Sequence, residues 1–451
     1  MKKKLLPALI VTGLIILVVI IMGITALINK YTPTKKTEDL KEYFNISSDD
    51  EVALIVDNEL SDYKAKIIDK KIYVDYKFVH DSLNSRFYWD ANENVLLYTT
   101  ASDIISAAAD SNSYSVTKQT NDFGYPIVKA TSDSALIALD YVKQYSNITF
   151  KSYDDPARIV ITSKWDEIDS ATVSKSTQVR VKGGIKTHIL KEVKKDDKIT
   201  ILDSGDKWDK VATEDGVIGY IKSKALSESK KTKLTNPDYE EETFTHIKKD
   251  KDICLAWNQV TSQSANSKVP QVISSTKGIN VMSPTWFYLN DNNGNLADIA
   301  SKDYVSYCHS QGIEVWGLFS NFENTDVDAA YVLTHTSTRT TLINQIMSAA
   351  FNYELDGVNI DFENITEAAY GDSYIEFIRE LSIKCHNNGI SLSVDVTVPA
   401  SFNKFFNRSD MANFADYIVI MGYAEHDTCS DARSVSSMPW ITAGVESALK
   451  E

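Results

Sequence analysis

The chain has 451 residues, 43% of them hydrophobic and 24% charged, with a formal net charge of −15. This composition excludes a disordered chain, and the length suggests two to four domains at roughly 100–200 residues each. The acidic balance argues against nucleic acid as a partner, and recognition of an anionic cell wall would have to be local rather than through bulk charge.

Leu5–Ile28 is an almost unbroken apolar run, long enough to cross a bilayer at about 20 residues per span. Lys2, Lys3 and Lys4 precede it, and the positive-inside rule keeps that end cytoplasmic. The run exceeds a secretory h-region and no small-x-small cleavage site follows, so residues 1–30 read as an uncleaved signal-anchor rather than a removed signal peptide. Everything from Asn29 onward is then expected outside the cell membrane. Residues 31–50 are polar and charged and read as a tether.

Residues 51–165 read as an α+β module. Val52–Val56, Lys71–Val74, Val95–Thr99 and Arg158–Thr162 have strand character, whereas Ala101–Ala109 and Ser132–Tyr145 read as helices. An internal echo at an offset of roughly 65 residues sets Ile72–Asp75, Trp89-Asp90 and Val95–Leu97 against Leu139–Val142, Asp154-Asp155 and Ile159–Ile161. The module resembles the N-terminal stalk domain of copper amine oxidases, without a metal-ligand cluster and hence without an implied copper. Residues 174–226 change character to short β runs at Thr177–Val181, Lys198–Asp203, Trp208–Thr213 and Val217–Ile221. Gly205-Asp206-Lys207-Trp208-Asp209-Lys210-Val211, followed by Gly216-Val217-Ile218-Gly219-Tyr220-Ile221, resembles a bacterial SH3-like domain. That resemblance implies either a peptidoglycan-binding barrel or a spacer, with Trp208 and Tyr220 read as core and barrel-closing residues. Residues 227–245 read as a linker.

From Ile253 strands and helices alternate, the pattern of an α/β fold with parallel strands. Strands are expected at Ile253–Val260, Ile279–Leu289, Glu314–Ser320, Leu355–Glu363, Ser391–Pro399 and Tyr417–Tyr423. Helices are expected at Lys302–Gln311, Arg339–Asn352, Tyr370–Asn387 and Pro439–Lys450. Six strands with their helices argue for a (β/α)8 barrel over residues 246–451, expected to be C-terminally truncated by two strands. Cys254, Cys308, Cys385 and Cys429 show no C-x-x-C spacing, so no metal site and no cofactor are expected; three of them read as small core residues.

Leu355–Glu363 alternates with period 2: Val358, Ile360 and Phe362 are apolar, while Asn359, Asp361 and Glu363 are polar. In a barrel strand the apolar set packs under helices and the acids face a site at the strand's C-terminal end. Asp356-Gly357-Val358-Asn359-Ile360-Asp361-Phe362-Glu363 resembles the D-G-x-D-x-D-x-E signature of glycoside hydrolase family 18, the chitinase class. Asn359 stands where the general pattern has Asp, as is usual in the cell-wall and spore-cortex-lytic subgroup. The resemblance implies a glycosidase using a substrate-assisted retaining mechanism on an N-acetylated glycan, peptidoglycan or chitooligosaccharide. Glu363 would be the general acid and base, needing a raised pKa, and Asp361 the partner of the acetamido N–H. Tyr423, in Met421-Gly422-Tyr423-Ala424, would bond the acetamido carbonyl, with Met421 beside it and Ala424 where the family has Asp.

With Asn359 adding no like charge, Asp361 is expected to ionise more readily than in an Asp–Asp pair. Asp356 and Gly357 read as structural. Asp395 alternates into the barrel, to contact the acids or make a structural hydrogen bond. Among Trp257, Trp286, Phe287, Trp316 and Trp440, Trp286 in Ser283-Pro284-Thr285-Trp286-Phe287 is the leading candidate to stack on sugar, with Trp257 a further one. Ala424 and the short strand count favour an alternative, a non-catalytic glycan-binding or scaffolding protein on a degenerate barrel.

Overall fold

The computed structural model is mixed α/β and divides into two compact units: Met1–Asp75 with Leu139–Glu240, and Tyr76–Ala138 with Glu241–Glu451. It describes residues 2–363, 365, 370–423, 425–426 and 433–451; Ala424 and Cys429 lie outside the described residues. The internal echo is a repeated β-α-β-β element. Lys71–Asp75, the helical turns Tyr76–Phe78 and Val79–Leu83, and strands Phe87–Asp90 and Val95–Thr99 are answered by Ala135–Ala138, Leu139–Tyr145, Thr149–Asp154 and Ala157–Thr162. The sequence pairing of Ile72–Asp75 with Leu139–Val142 therefore sets a strand against a helix. The unit boundary cuts through both copies, so the stretch 51–165 is shared between the units.

In the first unit, the helix Lys2–Tyr31 carries exposed apolar side chains from Leu9 to Ile28. The segment expected to be a tether is strapped down. Lys186 Nζ donates to the carbonyls of Asn29 and Thr32, the Thr34 amide bonds the Ile185 carbonyl, and the Glu38 amide bonds that of Ile189. After a helical turn at Leu40–Tyr43, Phe44 is fully buried against Val179, Leu190, Ile199, Val211 and Ile221. These belong to a seven-stranded antiparallel sheet that runs from Glu167–Thr172 to Lys230–Lys233 in sequence. Those two end segments pair with each other, so the expected linker begins with a strand. A buried ion pair, Arg158 Nη2 to Asp215 Oδ2 at 2.6 Å, joins this sheet to the strand Ala157–Thr162.

The second unit is built on six parallel strands: β1 (Leu255–Asn258), β2 (Val281–Leu289), β3 (Glu314–Ser320), β4 (Gly357–Asp361), β5 (Ser391–Thr397) and β6 (Tyr417–Met421). Every neighbouring pair in that order is parallel. Burial on both faces of the four inner strands, β2 to β5, accounts for their largely apolar sequences. Val358 and Ile360 of β4, with Phe362 just beyond it, pack outward into a core shared with the helices Thr336–Tyr353 and Gly371–His386.

That second helix is buried on nearly all sides, including Ser373, Glu376, Arg379 and Glu380. What covers its polar face is a five-stranded antiparallel sheet from Phe87–Asp90 to Gln119–Asp122. Thr99 Oγ1 donates to Glu376 Oε1 at 2.9 Å, and the Tyr88 hydroxyl lies 2.8 Å from Ser373 Oγ. The same sheet caps the helix Thr336–Tyr353, whose own N-cap side chain makes no capping bond. Asp90 Oδ2 accepts from the Thr336 amide and Glu93 from the Ser337 amide, placing negative charge at the positive end of the helix dipole. The expected helix at Ala101–Ala109 is instead the central strand of this sheet, Ile104–Ala108, and only Leu139–Tyr145 of Ser132–Tyr145 is helical. Two adjacent β-branched isoleucines and strands on either side outweigh the helix propensity of alanine.

Candidate active site

Alternation along β4 aims Gly357, Asn359 and Asp361 at the inner face of the curled sheet. At the lowest level Gly357 lies against Trp316 of β3, and a Cβ there would stand 2.6 Å from the indole. Gly357→Ala is therefore expected to destabilise the second unit by about 1–3 kcal/mol through overpacking, read as a lowered unfolding midpoint. Asp356, at the foot of the strand, accepts from the Val315 amide at 2.8 Å and pairs with His309 Nε2 at 2.8 Å. Both residues sit in structural contacts.

One level up, Asn359 is fully buried and fully bonded. Its Oδ1 accepts from Trp257 Nε1 on β1 and Ser283 Oγ on β2, each at 3.0 Å, and its Nδ2 donates to Asp395 Oδ1 on β5 at 2.8 Å. Because an indole N–H can only donate, the amide orientation is decided by its neighbours. Side chains from three other strands thus converge on one amide.

At the top, Asp361 is buried while Glu363 is exposed. Burial, the charges of Glu363 and Glu323, and a hydrogen-bonding contact with Glu363 push the Asp361 carboxyl up to about 7. The like charge that Asn359 withholds is supplied instead by Glu363 and Glu323, so the expectation that Asp361 ionises readily does not hold. Asp395 is itself raised well above the ordinary carboxylate range, chiefly by burial and then by Asp361 and Glu363. Tyr423, half exposed just beyond β6, sets its ring edge-on to Trp257 with centroids 6.2 Å apart. Burial and the charges of Asp361, Glu363 and Asp395 push its hydroxyl up to about 12, so the phenol faces the acids.

Trp286 is not part of this site. It is fully buried, donates its indole N–H to Asn266 Oδ1 at 2.8 Å and packs on Tyr304. Ser283 points inward to Asn359, but β2 shifts register against β3 between Thr285 and Phe287, and Trp286 and Phe287 both turn into the core there. Trp316 and Phe287 are likewise core, whereas Trp257 is 39% exposed.

A cavity of about 230 Å³ opens beside Glu363 and Asp395, its apolar wall formed by Met421, Phe402, Phe405 and Phe406. The phenylalanines come from a 3₁₀ turn, Ser401–Phe406, directly after β5. The run Ser401-Phe402-Asn403-Lys404-Phe405-Phe406 was a legible signal, since exposed aromatics after a parallel strand fall at the site end of the sheet. Ser283, Glu323 and Tyr374 also belong to the site's surroundings and carry no local signature. Of the cysteines, Cys308 and Cys385 are buried with free thiols, whereas Cys254 is exposed.

Residues 321–450 match glycosyl hydrolases family 18. The matched segment takes in Asp361, Glu363, Asp395, Met421 and Tyr423. A curated relative, the "Uncharacterized glycosylase YvbX" of Bacillus subtilis (strain 168), is 23% identical over 175 residues, 36% of this chain and 50% of that protein. The chain thus spans about half the length of the curated relative it matches. Among solved structures, the C-terminal domain of a putative chitinase from Desulfitobacterium hafniense DCB-2 aligns at 20% identity and a TM-score of 0.40, covering 44% of this chain and 62% of that one. The spore cortex-lytic enzyme SleL of Bacillus megaterium QM B1551 aligns at 18% identity and a TM-score of 0.38, covering 44% of this chain and 47% of that one.

Proposed function

We propose that the second unit is a retaining glycosidase acting on N-acetylglucosamine-containing glycan, with the substrate's acetamido group as nucleophile. The observation that carries this reading is the pairing on one strand face of an exposed Glu363 with a buried Asp361 whose carboxyl is pushed up to about 7. Glu363 protonates the glycosidic oxygen as the acetamido oxygen attacks the anomeric carbon, and the resulting carboxylate then takes a proton from the attacking water. Asp361, as carboxylate, accepts from the acetamido N–H. The Tyr423 hydroxyl donates to the acetamido carbonyl, and the exposed face of Trp257 receives a sugar ring. In this reading the helix Lys2–Tyr31 anchors the protein in the cell membrane, and the SH3-like and stalk modules face the wall.

The test is a matched pair of substrates offered to the full chain in detergent. Chitooligosaccharide should be cleaved with the β-anomer as first product, while a cello-oligosaccharide of equal length, with hydroxyl in place of acetamido, should resist. Equal cleavage of both, or an inverted first product, would overturn the mechanism, and cleavage of neither chitooligosaccharide nor peptidoglycan would overturn the assignment.

A further inference from the structure

We infer that Asp395 is a positioning residue that holds one proton jointly with Asp361, and that Asn359 is the fixed donor that keeps Asp395 in place. The inference rests on the glycosidase reading only for the role of Asp361.

The argument starts from register. β4 and β5 pair as Gly357 with Ser391, Asn359 with Ser393 and Ile360 with Val394. One further step sets Asp361 beside Asp395 on the inner face. The bond from Asn359 Nδ2 occupies Asp395 Oδ1, and the indole and hydroxyl donors at Asn359 Oδ1 prevent that amide from flipping. Any proton on Asp395 must therefore sit on Oδ2. Asp395 Oδ2, Asp361 Oδ1 and the Tyr374 hydroxyl are all buried without a hydrogen-bond partner among the described residues.

Three neighbouring polar atoms left in this state are costly. A single proton on Asp395 Oδ2 changes that for the two carboxyls, because it gives a donor toward Asp361. Two adjacent buried carboxyls do not both ionise readily, so the pair titrates as one system. Asp395 then stays neutral and donates, while Asp361 stays an anion that can accept from an acetamido N–H.

The titratable groups facing the pair are Glu363 beyond β4, Glu323 beyond β3, Tyr374 on the helix Gly371–His386 and Tyr423 beyond β6. An unfolded Asp titrates near 3.9, and both native carboxyls are raised above that. The native state therefore binds more protons than the unfolded one across this window, so their contribution to stability is present in acid and lost as pH rises from about 4 through about 7.

The experiment compares the full chain in detergent with Asp395→Asn and Asp395→Ala, following the unfolding midpoint of the second unit and kcat/KM on chitooligosaccharide against pH. Asparagine reproduces the protonated acid, with an oxygen for Asn359 and a permanent donor for Asp361. Asp395→Asn should flatten the fall in midpoint between pH about 4 and about 7 and move the acid limb of kcat/KM at least about one unit lower. Asp395→Ala should be less active than Asp395→Asn by about tenfold or more, the worth of one hydrogen bond to a charged group. An unchanged pH slope of the midpoint in Asp395→Asn overturns the inference, as does equal activity of the two variants. The midpoint arm needs no substrate, so it decides the shared proton even where the wild-type chain cleaves no glycan.

Discussion

Glu363→Gln should lower kcat/KM on chitooligosaccharide by about 10²–10⁴-fold, the usual worth of a positioned general acid. That corresponds to roughly 3–5 kcal/mol of transition-state stabilisation at 1.36 kcal/mol per factor of ten. Glutamine keeps the size and hydrogen-bonding reach of the side chain but has no acidic proton to give the leaving oxygen. Since Glu363 is exposed, the substitution should leave the unfolding midpoint within the small range typical of surface changes. A nitrophenyl glycoside, whose leaving group needs little protonation, should show a smaller loss than the oligosaccharide. A variant that cleaves both substrates as fast as the wild type would falsify the role of Glu363 as proton donor.

Replacing residues 76–138 by a short Gly/Ser linker should unfold the second unit, although those residues precede the catalytic strands by more than a hundred positions in sequence. Glu376 and Arg339 are completely buried. Arg339 Nε donates to Glu380 Oε1 at 2.9 Å, and its guanidinium lies over the Tyr88 ring, 5.0 Å from the centroid. Removing the sheet strips Thr99 from Glu376, Tyr88 from Arg339 and Ser373, and Asp90 from the start of the helix Thr336–Tyr353. Losing a hydrogen bond to a buried charged group costs about 1.5–3 kcal/mol, a desolvated cation–π contact about 2 kcal/mol, and a helix cap about 1 kcal/mol. Losses of that kind together approach the 5–15 kcal/mol that holds a typical domain. Circular dichroism and limited proteolysis of the deletion check this. A protease-resistant fragment retaining Gly357–Asp361 and Gly371–His386 would show that the sheet is dispensable.

The candidate site was legible where it depends on strand parity. Asp361 and Glu363 announce themselves because acids two apart on an apolar strand share a face, and the six parallel strands follow from the alternation of strands with helices. Trp286 was not legible that way, because a register shift between Thr285 and Phe287 breaks the alternation along β2. Partners that arrive from elsewhere in the chain were not legible. Asp395 reaches Asn359 from the next strand, and the polar stripe Ser373, Glu376, Arg379 and Glu380 looks like a solvated helix face until a distant sheet is laid over it. In the same way Phe44 sits in a polar stretch, and only the cavity it fills identifies it as core.

The strapping of residues 32–44 onto the β-sheet of the first unit has a mechanical consequence. With the Thr34 amide already bonded to Ile185, only Thr32 and Pro33 separate the apolar helix from a folded body, a span of roughly 10 Å at full extension. Under the proposed anchoring, a helix embedded in lipid would hold the first unit at headgroup level and keep it from swinging out as though on a leash. Depth of reach into a surrounding glycan mesh is then governed by folded thickness instead of slack, and lengthening the Thr32-Pro33 stretch with glycines would change how far from the bilayer the protein can work.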